Sequence, residues 1–107
     1  GQVRKIASQL VACLGLCEAA GVVHADLKPE NVLFCRPRGA AGGAGVRVKV
    51  IDFGNAMLLE PGAPPVVDPE LQSLPYRAPE VALGRAAGCG IDAWSVGCVL
   101  AEVLLMR

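Results

Sequence analysis

Residues 23–34 of this chain read Val-His-Ala-Asp-Leu-Lys-Pro-Glu-Asn-Val-Leu-Phe, and this stretch decides how the rest of the sequence is interpreted. Asp26 and Lys28 are two positions apart in an extended loop, a spacing that lets both side chains reach one point. Asn31 follows directly before an apolar run. Each group alone has an ordinary explanation, because a lone Asp-x-Lys is usually a solvated pair and a lone asparagine often closes a turn.

Three further motifs follow in a fixed order. Asp-Phe-Gly at 52–54 comes after the strand-like run Val-Lys-Val-Ile, Tyr-Arg-Ala-Pro-Glu occupies 76–80, and Asp-Ala-Trp-Ser-Val-Gly occupies 92–97. In this order and spacing, the four motifs resemble the catalytic loop, metal-binding turn, activation segment and central helix of a protein kinase. Four ordered motifs are far more specific than any one of them.

The resemblance implies phosphoryl transfer from ATP, a reaction in which the protein mainly positions groups and places cations, as is best known from kinases themselves. Asp26 resembles the catalytic carboxylate that accepts or orients the substrate hydroxyl proton. Lys28 resembles the lysine that steadies the γ-phosphate. Asn31 and Asp52 resemble the pair that holds Mg²⁺, and Leu33 the residue under the adenine ring. The implied cofactors are ATP and Mg²⁺, and the implied partner is a protein substrate.

The same resemblance assigns supporting roles. His24 and Phe53 resemble the hydrophobic column of an active kinase, which makes His24 a packed structural histidine. Asp92 resembles the carboxylate of the central helix that accepts backbone N–H bonds from the catalytic loop. Val99 and Val103 are expected to support the adenine-facing leucine, although plain core positions would look the same.

Length limits this interpretation. The 107 residues can form one modest core but are fewer than half of a two-lobed kinase. We therefore expect residues 1–107 to be a partial protein kinase domain whose chain begins and stops inside helices. The sequence lacks a Gly-x-Gly-x-x-Gly loop and the strand and helix that anchor ATP in the small lobe. The missing small lobe is needed for function, so the isolated segment is expected to be inactive.

Charge and cysteine content exclude several other classes. Ten basic and ten acidic residues cancel, so no nucleic-acid or membrane partner is indicated. The apolar stretch 94–106 contains Glu102 and is too short to cross a bilayer. The five cysteines form no Cys-x-x-Cys pair, which argues against a disulfide framework or zinc site and favours a reducing compartment. The resemblance implies an intracellular protein, nuclear or cytoplasmic, with nuclear favoured by the subfamily.

Periodicity predicts an α+β fold, a partial kinase-like large lobe that is mostly α-helical with short β-hairpins. An amphipathic helix covers 3–19 and ends at Gly21. Strands are predicted at 22–23, 32–35 and 47–51, the last two joined by a flexible loop over 36–45. Six prolines in 61–79 exclude regular helix there. The sequence also predicts an extended segment over 61–79 and a helix over 91–106.

Departures from the general pattern narrow the resemblance. Ala25 occupies the place where most kinases have an arginine that binds an activation-segment phosphate. Leu-Gln-Ser before Tyr-Arg-Ala-Pro-Glu is similar to the homeodomain-interacting protein kinases, relatives of the dual-specificity tyrosine-regulated kinases. That group has a phosphorylated tyrosine and an arginine where this chain has Glu70 and Leu74. Ser73 retains the hydroxyl expected beside the catalytic carboxylate.

The acid at position 70 has two interpretations. Its carboxylate imitates a phosphate, with Arg77 or Arg85 as the candidate cation, or the chain is a divergent copy without this switch. Two functions therefore stay open. The first is a Ser/Thr kinase, extending to tyrosine in a dual-specificity enzyme, and the second is a non-catalytic, pseudokinase-like interaction module.

Overall fold

The computed structural model describes residues 1–35 and 45–106. Its helices are α1 (Gln2–Ala19), α2 (Pro79–Ala82) and α3 (Gly90–Leu105). Its strands are β1 (Val22–Val23), β2 (Val32–Cys35), β3 (Arg47–Val50) and β4 (Met57–Leu58), and short 3-10 turns cover Pro29–Asn31 and Leu74–Tyr76. Of the predicted loop over 36–45, residues 36–44 lie outside the described residues.

Helix α1 forms as predicted and ends at a glycine. Its apolar stripe buries Ile6 and Leu10. Gly21 follows with a φ of 71°, and a side chain there would lie 3.1 Å from the carbonyl oxygen of Leu59. The left-handed backbone and the close approach both require glycine. The turn brings β1 beside the segment that carries β4.

The strands form two small antiparallel sheets rather than two hairpins. β2 pairs with β3 from Val32 opposite Val50 to Cys35 opposite Arg47, as the predicted hairpin requires. β1 pairs with β4, which is not its neighbour in the chain, so one of the two sheets is a hairpin and the other joins distant strands. β4 was not predicted because two residues carry no period-two pattern.

Helix α3 contributes to both hydrophobic clusters of the fold. Ile91 packs with Val23 and Val81 in one cluster, and Val96 packs with Leu10 and others in the second. This central position agrees with the prediction for 91–106, and the helix bounds differ by one residue at each end. Elements bonded to α3 are therefore fixed relative to both halves of the core.

The proline-rich segment remains irregular over most of its length, as predicted. Two short helical pieces were not predicted: the 3-10 turn at Leu74–Tyr76 and α2, which begins at Pro79. Both agree with proline chemistry, because proline is tolerated in the first turn, where its missing N–H has no partner to lose. Among residues 1–35 and 45–106, no helix combines the length and apolarity needed to span a bilayer.

Candidate active site

A buried carboxylate fixes the loop that carries Asp26. Asp92, in the first turn of α3, is 2% exposed and accepts the backbone N–H of His24 at 2.7 Å and that of Ala25 at 3.0 Å. Hydrogen bonds to a charged acceptor are stronger than neutral ones, and they satisfy two donors that are out of reach of water. The predicted scaffolding contact of Asp92 is confirmed.

Ala25 adopts a left-handed conformation, with a φ of 69°. This costs a residue other than glycine about 1–3 kcal/mol and persists only where the surroundings impose it. The surroundings here are the Asp92 carboxylate and a buried position that leaves Ala25 1% exposed. The turn at Ala25 directs the next residue, Asp26, out of the core and into the site.

His24 links the catalytic loop to the metal-binding turn. The backbone N–H of Asp26 donates to Nδ1 of His24 at 3.1 Å, so that nitrogen must be unprotonated. The proton therefore lies on Nε2, which donates to the carbonyl of Ile51 at 2.8 Å. The edge of the Phe53 ring meets the imidazole with centroids 4.7 Å apart. The predicted packing of His24 on Phe53 is confirmed.

The carboxylate of Asp26 faces a hydroxyl and an ammonium group. Ser73 Oγ donates to Asp26 Oδ1 at 2.8 Å and accepts a hydrogen bond from Lys28 Nζ at 3.1 Å. Lys28 Nζ also lies 3.6 Å from Asp26 Oδ2. The expected position of the Ser73 hydroxyl is confirmed. A carboxylate, a cation and a hydroxyl thus meet at one partly exposed point, which is what transfer of a group to a hydroxyl requires.

A backbone hydrogen bond joins Asn31 to the residue that precedes Asp52. The N–H of Ile51 donates to the carbonyl of Asn31 at 2.9 Å, which holds the segment entering Asp-Phe-Gly beside Asn31. Asn31 Nδ2 donates to the carbonyl of Asp26 at 2.8 Å, so the amide oxygen points away from that bond. Asn31 is 5% exposed, and no fully buried side-chain polar atom of the described residues lacks a hydrogen-bond partner.

These two residues fit a hard divalent cation. Asn31 offers a free amide oxygen, and Asp52 offers an exposed carboxylate held by the N–H of Gly54 at 3.3 Å. Mg²⁺ takes few protein oxygens and keeps several waters. The described residues contain no group of three His, Cys, Asp or Glu side chains arranged for a metal, and Asn31 with Asp52 would be the residues to hold Mg²⁺.

Leu33 lies on the exposed face of β2, opposite Lys49 in the register, and is 43% exposed. Its chain neighbours Val32 and Phe34, rather than Leu33 itself, line an apolar groove with Val99 and Val103. The expected support of Leu33 by the two central-helix valines is therefore indirect, through the flanking residues of the same strand. An exposed leucine beside the site stays a candidate platform for a flat ring.

Among residues 1–35 and 45–106, Glu70 forms no ion pair. Arg77 instead donates through Nε to the carbonyl of Leu71 at 2.9 Å and through Nη2 to that of Gln72 at 3.0 Å. Within residues 1–35 and 45–106, the single ion pair is Lys28 with Asp26. Neither candidate cation pairs with Glu70 among the described residues, because backbone carbonyls occupy the guanidinium of Arg77 and no ion pair forms at Arg85.

Sequence reasoning also missed two polar residues at the site. Asn55 Nδ2 lies 3.5 Å from Asp26 Oδ2, and both residues line a cavity of about 320 Å³ that reaches Ser73 and Glu70. Gln72 is buried and bonded to α3. Their positions next to Asp-Phe-Gly and Ser73 were visible in the sequence, but their contacts depend on tertiary structure.

Comparison with known proteins agrees with this geometry. The family model of the protein kinase domain matches residues 1–107. The serine/threonine-protein kinase ppk15 of Schizosaccharomyces pombe is 45% identical over 96% of this chain and 17% of the relative. The dual specificity tyrosine-phosphorylation-regulated kinase mbk-2 of Caenorhabditis elegans is 44% identical over 95% of this chain and 11% of the relative.

Homeodomain-interacting protein kinase 1 of the same nematode is 43% identical over 96% of this chain and 11% of its own length. The chain spans between 8% and 17% of the length of the curated relatives it matches. The predicted resemblance to the homeodomain-interacting and dual-specificity tyrosine-regulated kinases is confirmed. A match over every residue, together with the order of its four motifs, means that the chain belongs to the protein kinase family.

Proposed function

We propose that the protein carrying this chain transfers the γ-phosphate of ATP to serine and threonine hydroxyls of protein substrates. The observation that carries the proposal is the meeting of Asp26, Lys28 and the Ser73 hydroxyl within 3.6 Å of one another. Dual-specificity relatives extend the proposal to tyrosine hydroxyls. The names of these relatives and the match to the kinase family support it.

Each site residue has one proposed task. Asp26 receives or orients the proton of the attacking hydroxyl, a role consistent with its Oδ1 accepting a hydrogen bond from the Ser73 hydroxyl at 2.8 Å. Lys28 compensates negative charge on the transferred phosphoryl group. Asn31 and Asp52 would hold Mg²⁺, which supplies charge compensation for the phosphates when bound. Leu33 packs against the adenine ring.

The isolated segment is proposed to be inactive. Its nucleotide face is open: Leu33 and Asp52 are both exposed, and no described residue covers them. A small ligand needs a concave site that buries most of its surface. The covering wall is proposed to come from a small lobe, which makes the full-length protein the form to test.

The test is a kinase assay on the full-length protein with Mg-ATP and a general protein substrate, comparing Asp52→Asn with Asp68→Asn. Both changes remove one exposed carboxylate from the same segment. Asp52→Asn should remove most activity, because a hard anionic oxygen is lost at the metal. Asp68→Asn should retain activity. Equal activity of the two variants would refute the metal assignment.

The second candidate is a non-catalytic interaction module of the pseudokinase type. One observation favours it: Ala25 provides no guanidinium for an activation-segment phosphate, and Glu70 has no cation among the described residues. Full-length protein that binds protein partners but transfers no phosphate under any of these conditions would support this candidate.

A further inference from the structure

Gln72 is the most completely bonded side chain of the irregular segment. It is 6% exposed, and its amide nitrogen donates to the carbonyl of Ile91 at 2.8 Å and to Ser95 Oγ at 2.8 Å. Its amide oxygen accepts the backbone N–H of Ala78 at 2.8 Å. The partners fix the orientation of the amide, because a carbonyl needs a donor and an N–H needs an acceptor. The side chain thus joins the segment to α3.

Further hydrogen bonds connect the residues on either side of Gln72 to one another. The Ser95 hydroxyl donates a hydrogen bond to the carbonyl of Tyr76 at 2.7 Å, and Arg77 donates to the carbonyls of Leu71 and Gln72. Residues 71–78, here called the anchored loop, are therefore held to α3 and to each other. Gln72 itself has a φ of 68°, a left-handed conformation that its surroundings must impose.

The anchored loop carries the hydroxyl that faces the catalytic carboxylate. Ser73 directly follows Gln72 and bonds to Asp26 and Lys28. Residues 52–80 contain only two hydroxyl side chains, Ser73 and Tyr76, and Tyr76 is bonded to Glu102 at 2.5 Å. Neither hydroxyl is free in this arrangement. The neutral hydrogen bonds of Gln72 and Ser95 fasten the loop to α3, and Ser73 and Tyr76 bond in addition to charged side chains.

We propose that Gln72 is a positioning residue for phosphoryl transfer. Its amide, anchored on Ile91 and Ser95, holds Ser73 at hydrogen-bonding distance from Asp26 and so sets the direction in which that carboxylate meets the substrate hydroxyl. The inference rests on the proposed function. It goes beyond that function by assigning the alignment of the base to a neutral buried amide.

The test compares Gln72→Met with a matched control, Gln9→Met, in the full-length protein. Gln9 makes the same kind of two-ended clamp: its amide donates to the carbonyl of Val46 and accepts the N–H of Val48, each at 2.8 Å. It joins α1 to β3 and bonds to no residue of the site. Both changes remove a two-ended clamp at similar side-chain length, one buried at Gln72 and one partly buried at Gln9, so loss of stability alone affects both.

We expect Gln72→Met to lower kcat by about 10- to 100-fold, since small misplacement of a reacting group has effects of this size. The KM for ATP of Gln72→Met should stay within about twofold of the wild-type value, because the proposed nucleotide-binding residues are unchanged. The control Gln9→Met should keep kcat within about twofold of wild type. Because Gln72 is proposed to act through Ser73, the two changes should not be additive. Adding Gln72→Met to Ser73→Ala should lower kcat by less than about threefold further. A full, independent effect in the double variant would overturn the proposal, as would an unchanged kcat in Gln72→Met.

A second readout does not need catalysis. In protein labelled with ¹³C at the aspartate carboxyl carbon, Gln72→Met should move the Asp26 resonance in the same direction as Ser73→Ala, and Gln9→Met should leave it in place. An unmoved resonance would overturn the proposal. A moved resonance in a protein that transfers no phosphate would overturn the proposed function and leave the positioning contact intact.

If Gln72→Met fails to fold, Ser95→Ala replaces it. This milder change removes one acceptor of the Gln72 amide and the donor to the carbonyl of Tyr76. It should move the Asp26 resonance in the same direction and lower kcat by a smaller factor than Ser73→Ala. A wild-type resonance and kcat in Ser95→Ala would count against the anchoring role.

Discussion

Replacing Asp92 by asparagine should loosen the catalytic loop at two identified amides. The carboxylate accepts from His24 and Ala25 with both oxygens, at 2.7 and 3.0 Å, and is 2% exposed. An asparagine of the same shape keeps one acceptor oxygen and turns an NH₂ group toward the other N–H. One bond to a charged acceptor is lost, and a buried donor is left unpaired, which costs about 2 kcal/mol.

That free energy converts into a measurable rate. Because 1.4 kcal/mol is a factor of ten, the amides of residues 24 and 25 should exchange with solvent about 30-fold faster in Asp92→Asn. Hydrogen exchange followed by mass spectrometry on a peptide covering 22–27 of the full-length protein measures this locally. The matched control is Asp68→Asn, which removes an exposed carboxylate but can still accept the N–H of Glu70.

The reasoning fails if the 22–27 peptide exchanges at the wild-type rate in Asp92→Asn. It also fails if Asp68→Asn accelerates this peptide equally, since loss of charge rather than loss of the specific contact would then be responsible. Acceleration spread evenly over α1 and β2 would indicate global destabilisation instead of release of the loop.

The hydrogen bond to Glu102 raises the pKa of Tyr76 from 10 to about 12. The stabilisation of the folded state by this bond is complete below pH 10 and is lost as the pH rises through 12. Glu102→Gln should lower this pKa, measured by phenolate absorbance as a difference from Tyr76→Phe. Since Glu70 is exposed and has no described cation, Glu70→Gln should keep kinase activity within about twofold, and phosphatase treatment should not abolish it. Leu104 and Leu105 are 46% and 84% exposed, so the isolated chain should self-associate in ultracentrifugation, and Leu104→Lys with Leu105→Glu should reduce this.

A specific result would contradict each of these predictions. An unchanged Tyr76 titration in Glu102→Gln would remove the hydrogen bond as the cause of the raised pKa. Loss of activity in Glu70→Gln would indicate an activating charge that the described contacts lack. A monodisperse isolated chain at high concentration would mean that the exposed end of α3 does not drive association.

The long elements could be predicted closely because their sequence patterns are local. Helix α1 and helix α3 each span more than three turns. β2 is a continuous apolar run, and β3 alternates charged residues with valines. The site residues were found for a different reason: their identities and order match a known motif set. The meeting of Asp26 with Ser73, 47 positions apart, follows from that match and from no local pattern.

What could not be predicted depends on contacts between distant segments. β4 exists because β1 lies beside it. The amide of Gln72 finds its partners on α3, and nothing in the Leu-Gln-Ser sequence indicates them. The sequence could name Arg77 as a candidate cation for Glu70 but could not show that Arg77 bonds to two backbone carbonyls instead.

The central claim is that Asp26 acts on the hydroxyl that receives the phosphate. Its most direct test is a single-turnover, rapid-quench measurement of phosphate transfer from Mg-ATP to a protein substrate by the full-length protein and by Asp26→Asn. The account predicts transfer by the natural protein and a decrease of about 10²- to 10⁴-fold in the variant, the usual contribution of a positioned acid or base. Transfer at the same rate in both proteins would contradict it.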